Sequence, residues 1–228
     1  MSDITENIAR LKSELPGNVK LVAVSKTKTL DDIMEAYKTG HRIFGENRVQ
    51  ELVAKQEHVP GDIQWHMIGH LQRNKLKYIA GFIHMIESVD SERLLRAINR
   101  EAHKAGRIID CLLQFHIARE ESKFGFSMEE TFEMMEAGVL SELENVNLKG
   151  VMGMATFTSD MERVRKEFIY LRSVFEELKQ KYFSEKDDFC EISMGMSDDY
   201  KVALEEGSTI VRLGTSIFGA RDCKTDNN

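Results

Sequence analysis

EISMGMSDDYKVALEEGSTIVRLGTSIFGAR, residues 191–221, reads as a strand, a short helix and a second strand. In its first half Ile192, Met194 and Met196 alternate with Ser193, Gly195 and Ser197, so one face is bulky and the other nearly bare. Its second half sets Arg212 and Gly214 on one face, with Gly207 before that strand and Gly219 after it. Glycines and small residues at the ends of two neighbouring strands leave backbone N–H groups open to a compact anion, and Arg212 adds a fixed fork of donors.

Working outward, the same alternation of strand and helix signals fills the chain. Strand patterns cover 21–26 (LVAVSK), 42–47 (RIFGEN), 63–69 (IQWHMIG), 84–89 (HMIESV), 110–117 (DCLLQFHI) and 148–155 (LKGVMGMA). Helical patterns cover 2–14, 29–39, 48–56, 71–80 and 91–105. A capping box at Ser127/Glu130 opens another helix, and a second box at Ser159/Glu162 opens a long one ending near Tyr182. Along that long helix Met161, Val164, Phe168, Leu171, Phe175, Leu178 and Tyr182 share one side. This spacing fits either a coiled-coil partner face or, over barely three heptads, a helix packed on a sheet.

Eight strands, helices between them and only two prolines predict an α/β fold, a single (β/α)8 TIM-type barrel. An open doubly wound sheet is the rival. The barrel is preferred because polar residues end many strands: Lys26, Asn47, His66, His116 and Arg212. Gly45 shares a face with Asn47, Gln64 with His66, and Gln114 with His116, while Phe44, Trp65, Met67, Leu113 and Phe115 point the other way. The chain after strand eight is too short for a full helix, so an extra N-terminal helix is expected to cover that gap. Residues 1–228 are expected to form one domain with its core over 18–221 and a flexible tail at 222–228.

Composition narrows the function. The 228 residues are 42% apolar and 30% charged with a net charge of −7, and no strongly basic block is present, which disfavours nucleic acid as a partner. Arg73, Lys75 and Lys77 read as a solvated face. Cys111, Cys190 and Cys223 are odd in number and lack metal spacing, as expected of reduced thiols in a cytoplasmic protein. Residues 1–15 carry acids without a signal-peptide core, and no run spans a membrane. His66 and His70 have H-x3-H spacing but fall at a strand end with no further ligand beside them, so no metal is expected. Dinucleotide, P-loop and nucleophile-elbow motifs are absent.

Lys26 ends a buried strand. Such a lysine pairs with a carboxylate, snorkels to water, or loses its charge and condenses with an aldehyde. Strand eight of a barrel lies beside strand one, which brings Lys26 near the anion nest. An aldehyde carrying a phosphate fits both, and pyridoxal 5′-phosphate is the obvious ligand. A sugar- or triose-phosphate enzyme with an aldolase-type lysine is a weaker reading.

The segments VAVSKT, FGENRVQE, WHMIGHLQRNK and SMGMSDDY…GSTIVRLGTSIFGAR resemble the pyridoxal phosphate homeostasis (YggS/PROSC) family over residues 20–221, and that family is similar to the N-terminal barrel domain of alanine racemase. The resemblance implies that Lys26 is the Schiff-base lysine and that Asn47 lies beside the cofactor ring. It places Arg212 at the pyridine nitrogen and Ser193, Gly214 and Thr215 on the phosphate, with His66 lining the pocket. It further implies a protein that stores pyridoxal phosphate and delivers it to apo-enzymes, without catalysis of its own; with no large apolar stripe left once the helices dock, a monomer, or at most a weak dimer, is expected. The alternative is a racemase-type enzyme. Against it stand an arginine at the ring nitrogen, which weakens the ring as an electron sink, and the lack of room for a second domain bearing a tyrosine base. Tyr200 is left as a conceivable base. Gln114-Phe115-His116 and Phe124 depart from the family pattern on the substrate side.

Overall fold

The computed structural model describes residues 3–118 and 124–219. Eight parallel strands close into a barrel in chain order: β1 (Lys20–Val24), β2 (Ile43–Glu46), β3 (Gln64–Met67), β4 (Met85–Val89), β5 (Ile109–Phe115), β6 (Val146–Gly153), β7 (Glu191–Ser193) and β8 (Ile210–Leu213). Closure is made by β1 on β8, with Val22 opposite Arg212 and Ala23 opposite Leu213. That pairing removes the open-sheet alternative. The strands alternate as their sequences require. Ala23, Phe44, Trp65, Met67, Cys111, Leu113 and Val211 face outward into the core shared with the helices. Val22, Met85, Leu112, Met152 and Ile210 form a separate apolar plug inside the barrel. Above that plug, toward the C-terminal ends of the strands, the interior becomes polar.

The helices are α1 (Asp3–Glu14), α2 (Leu30–Lys38), α3 (Val49–Gln56), α4 (Glu92–Lys104), α5 (Met128–Glu136), α6 (Met161–Tyr182), α7 (Tyr200–Glu205) and α8 (Thr215–Phe218). The Ser127/Glu130 capping box is present at α5. An unforeseen box, Thr29/Asp32, starts α2. The box expected at Ser159/Glu162 is not formed; Asp160 caps α6 instead, its side chain accepting from the Arg163 amide at 3.1 Å. The helix expected over 71–80 is a 3-10 turn at Arg73–Tyr78, whose cap residue Gln72 makes no side-chain bond to hold an α-helical first turn. In α6, Val164, Phe168, Leu171, Val174 and Leu178 are buried against the barrel, so that face has no room for a coiled-coil partner. α8 is four residues long, and α1 lies on it: Asn7 Nδ2 donates to the Ile217 carbonyl at 3.1 Å. The N-terminal helix therefore covers the gap. The expected tail at 222–228, the last two residues of the expected core, and Cys223 lie outside the described residues.

Candidate functional site

Arg212 projects from β8 into the barrel and is 4% exposed. Its Nη1 donates to Ser193 Oγ at 2.5 Å and its Nη2 to the Gly153 carbonyl at 3.0 Å, which fixes the plane of the guanidinium. Glu87 Oε2 lies 3.7 Å from Nη1. Burial pulls the Arg212 pKa down, and the carboxylates of Glu87 and Asp199 oppose it.

Glu87 is a residue that sequence reasoning missed. It is fully buried, accepts from Ser193 Oγ at 2.5 Å and is bonded to His66 Nδ1 at 2.6 Å. A carboxylate only accepts, so the His66 proton sits on Nδ1. Burial alone would raise the Glu87 pKa, yet its bonds to His66 and Ser193 and the charge of Arg212 carry it below the usual carboxylate range. A chain of polar contacts thus crosses the interior from β8 through β7 and β4 to β3. His84 stacks against His66 at 5.7 Å, and burial first, then His66, lower its pKa.

At the mouth, β1 stops at Val24, so Lys26 belongs to the turn beyond the strand rather than to the strand itself; it is half-buried. The Ala23–Leu213 rung places Gly214 one residue, and Lys26 three residues, past a shared level on adjacent strands. Gly214 fits against the end of β1: a Cβ there would lie 3.4 Å from the Val24 carbonyl oxygen. Its amide donates to Ser197 Oγ at 3.4 Å. Thr215 and Ser216 open α8, and first-turn amides have no intrahelical acceptor. The sequence singles out Ser193 and passes over Ser197. The structure engages Ser193 deep in the barrel with Glu87 and Arg212, and brings Ser197 to the rim beside Gly214. Gly195, at φ 97°, turns the chain between them; a Cβ there would meet that of Ala203 at 2.6 Å.

Asn47 follows β2 and is half-buried. The β3 exit passes so close that a Cβ on Gly69 would stand 2.4 Å from the Asn47 carbonyl oxygen. His66 and His70 part ways: the first faces inward on Glu87, while His70 Nδ1 is bonded to Asp90 at 3.0 Å and its ring packs on Phe124. Gln114 Nε2 donates to the Phe124 carbonyl at 3.4 Å, and His116 is exposed just beyond β5. Tyr200 points away from the mouth, its hydroxyl donating to Glu14 of α1 at 3.1 Å. Among the described residues no helix is long and apolar enough to cross a membrane.

The mouth therefore gathers a half-buried lysine, a buried arginine backed by a carboxylate, and a rim of small residues with amide donors. Residues 1–222 match the model of the alanine racemase N-terminal domain. The chain is 38% identical to the pyridoxal phosphate homeostasis protein of Vibrio alginolyticus, covering 97% of this chain and 99% of that one. It is likewise 38% identical to the human protein of that name, covering 96% of this chain and 83% of that one. Among solved structures, PipY of Synechococcus elongatus PCC7942 with PLP bound superposes with a TM-score of 0.86 at 36% identity, covering 95% of this chain and 100% of that one. With its barrel, its matching segments and these relatives in agreement, the chain belongs to the pyridoxal phosphate homeostasis protein family, built on the alanine racemase N-terminal domain fold.

Proposed function

We propose that the chain binds pyridoxal 5′-phosphate at the barrel mouth, covalently through Lys26, and serves to store and deliver it rather than to transform amino acids. The carrying observation is the buried Arg212, fixed by Ser193 and Gly153, on the strand that leads into Gly214 beside the Lys26 turn. These residues fit the group. Amides at Gly214, Thr215 and Ser216 with the Ser197 hydroxyl suit a phosphate, and a guanidinium suits an unprotonated pyridine nitrogen. In this reading Ser197 takes the phosphate role that the family resemblance gives to Ser193, which acts one step back by orienting Arg212. Asn47 lies beside the ring. When bound, the group supplies an aldehyde, with which the Lys26 amine condenses and releases water.

Two features support a carrier over a racemase-type enzyme. Arg212 at the ring nitrogen opposes its protonation and so weakens the ring as an electron sink. The hydroxyl of Tyr200, the one tyrosine base left open by the sequence, is on Glu14. We take residues 1–228 as one cofactor-binding unit. We read it as a monomer, because α6 buries its apolar face on its own barrel, and as cytoplasmic, in keeping with the free thiols of Cys111 and Cys190. Apo-enzymes that use pyridoxal phosphate are the proposed recipients.

The test is borohydride reduction of the protein with pyridoxal phosphate, followed by peptide mapping. The pyridoxyl group should be on Lys26, and Lys26→Ala should lose it while retaining some bound cofactor. Labelling on Lys28 instead overturns the assignment. Turnover of any common amino acid with kcat of about 1 s⁻¹ or more overturns the carrier reading.

A further inference from the structure

Behind the Lys26 turn lies a buried charge cluster that the cofactor reading leaves unused. Lys55 of α3 is 7% exposed, and its Nζ donates to Glu46 Oε1 at 2.8 Å and to Glu51 Oε1 at 2.6 Å. The same Nζ donates to the Ser25 carbonyl at 2.7 Å. Glu51 Oε1 also accepts from the Thr27 amide at 2.6 Å, and Ser25 Oγ donates to Glu46 Oε1 at 2.5 Å. The carbonyl just before Lys26 and the amide just after it are therefore both held by side chains one turn apart on α3.

The held conformation is an unfavourable one. Thr27 has φ 64°, a left-handed backbone that a β-branched residue avoids unless its surroundings impose it. An ion pair meant only to fasten α3 to β2 needs Glu46 and Lys55 alone. Here the pair is extended by Glu51 to the two peptide groups that flank the lysine. Glu46 is 0% exposed and its Oε2 has no hydrogen-bond partner among the described residues; burial pushes its pKa up against the pull of Lys55. The cluster tolerates that cost at the back of the turn.

We infer that Lys55 and Glu51 are positioning residues, which hold the 25–27 turn in its left-handed form so that Lys26 leaves it at the angle needed to reach the aldehyde. This rests on the proposed role of Lys26. Neither residue touches the phosphate cradle, so the pair governs the covalent step and not the grip.

The experiment compares wild type, Glu51→Ala and Lys55→Gln by two readouts. One is the rate at which pyridoxal phosphate becomes reducible onto Lys26; the other is the affinity for pyridoxine 5′-phosphate, which has the ring and phosphate but no aldehyde. Glu51 is a quarter exposed on its side chain and alanine is a strong helix former, so α3 is retained in Glu51→Ala. Trapping on Lys26 should slow about tenfold, the scale of a modest misplacement, with pyridoxine phosphate affinity within about twofold of wild type. Adding Thr27→Gly should recover at least a third of the lost rate, because glycine adopts φ 64° without help. If the more buried Lys55→Gln fails to fold, Glu51→Ala alone decides the matter. Wild-type trapping rates in Glu51→Ala, a parallel loss of pyridoxine phosphate affinity, or no recovery with glycine at 27 each overturn the inference. Absence of trapping on Lys26 in the wild type overturns instead the function on which it rests.

Discussion

Glu87→Gln is the most informative single change in the barrel interior. It keeps the volume of the side chain and an oxygen for Ser193 or His66, but removes the negative charge 3.7 Å from Arg212. Arg212 is 4% exposed, so its charge has little access to water as a substitute. Stranding one partner of a buried pair costs about 3–5 kcal/mol; with the amide oxygen retained, the low end applies, about 3 kcal/mol. For a domain of this size each kcal/mol lowers the melting temperature by about 2–4 °C, so the cofactor-free variant should melt about 6–12 °C below wild type. The sign reverses on adding ligand. The variant keeps a buried guanidinium with Asp199 as its one remaining carboxylate, and on the proposed site anionic pyridoxal phosphate then adds countercharge. The rise in melting temperature at saturating cofactor should therefore be larger in Glu87→Gln than in wild type. Replacing Arg212 as well, with methionine, should recover much of the lost stability, since the guanidinium left without Glu87 is gone, while Asp199, the other carboxylate acting on it, keeps its bond from the Met196 amide. Melting curves with and without cofactor at neutral pH read all of this. A Glu87→Gln protein melting within about 2 °C of wild type, or gaining no more than wild type from cofactor, would refute the view of Glu87 as the counterion of Arg212.

Three further outcomes are expected. Burial holds His41 neutral with a pKa of about 4 against an ordinary 6.5. The unfolded chain therefore takes the proton first, and stability, complete above pH 6.5, falls as pH drops to about 4; the loss is about 3 kcal/mol. Denaturant titrations across that window should show a shallower pH slope in His41→Gln. Gly69→Ala puts a methyl 2.4 Å from the Asn47 carbonyl oxygen, so it should cost about 1–3 kcal/mol and weaken cofactor binding by displacing Asn47, as melting and cofactor titration will read. Light scattering at micromolar concentration should return the mass of one chain; a dimer independent of concentration would mean that an interface has been mistaken for core.

The fold is legible in the sequence because the barrel repeats one pattern eight times. Each strand separates its faces at period two, and a local signal repeated that often leaves few topologies. Lys26, Gly214 and Arg212 are legible for the same reason, standing at or near strand ends where polar residues are otherwise unexpected. Glu87 is not. In Met85-Ile86-Glu87-Ser88-Val89 it passes for one polar residue in a buried run, and its meaning depends on Arg212 and Ser193, brought opposite it only by closure of the ring. Ser193 and Ser197 are hard to tell apart in the sequence for a different reason. Alternation carries the eye through Gly195, but β7 ends at Ser193 and the positive φ at Gly195 breaks the period there. The cap of α6 slips by one because Ser159 and Asp160 are both good caps, and local sequence alone does not choose between them.

The docking of α1 on α8 bears on how the protein is made. Asn7 and its acceptor, the Ile217 carbonyl, are 210 residues apart, and β1 waits nearly as long for β8. At about 5–20 residues per second, translation needs about 10–40 s to cover that distance. Throughout that interval one edge of β1 lacks its neighbour, and Lys26 has been synthesised without Arg212 or Gly214 to accompany it. A ligand that needs all three cannot guide the growing chain. On the proposed site, binding therefore waits until β8 is made, and the cofactor cannot brace the barrel while β1 stands unpaired.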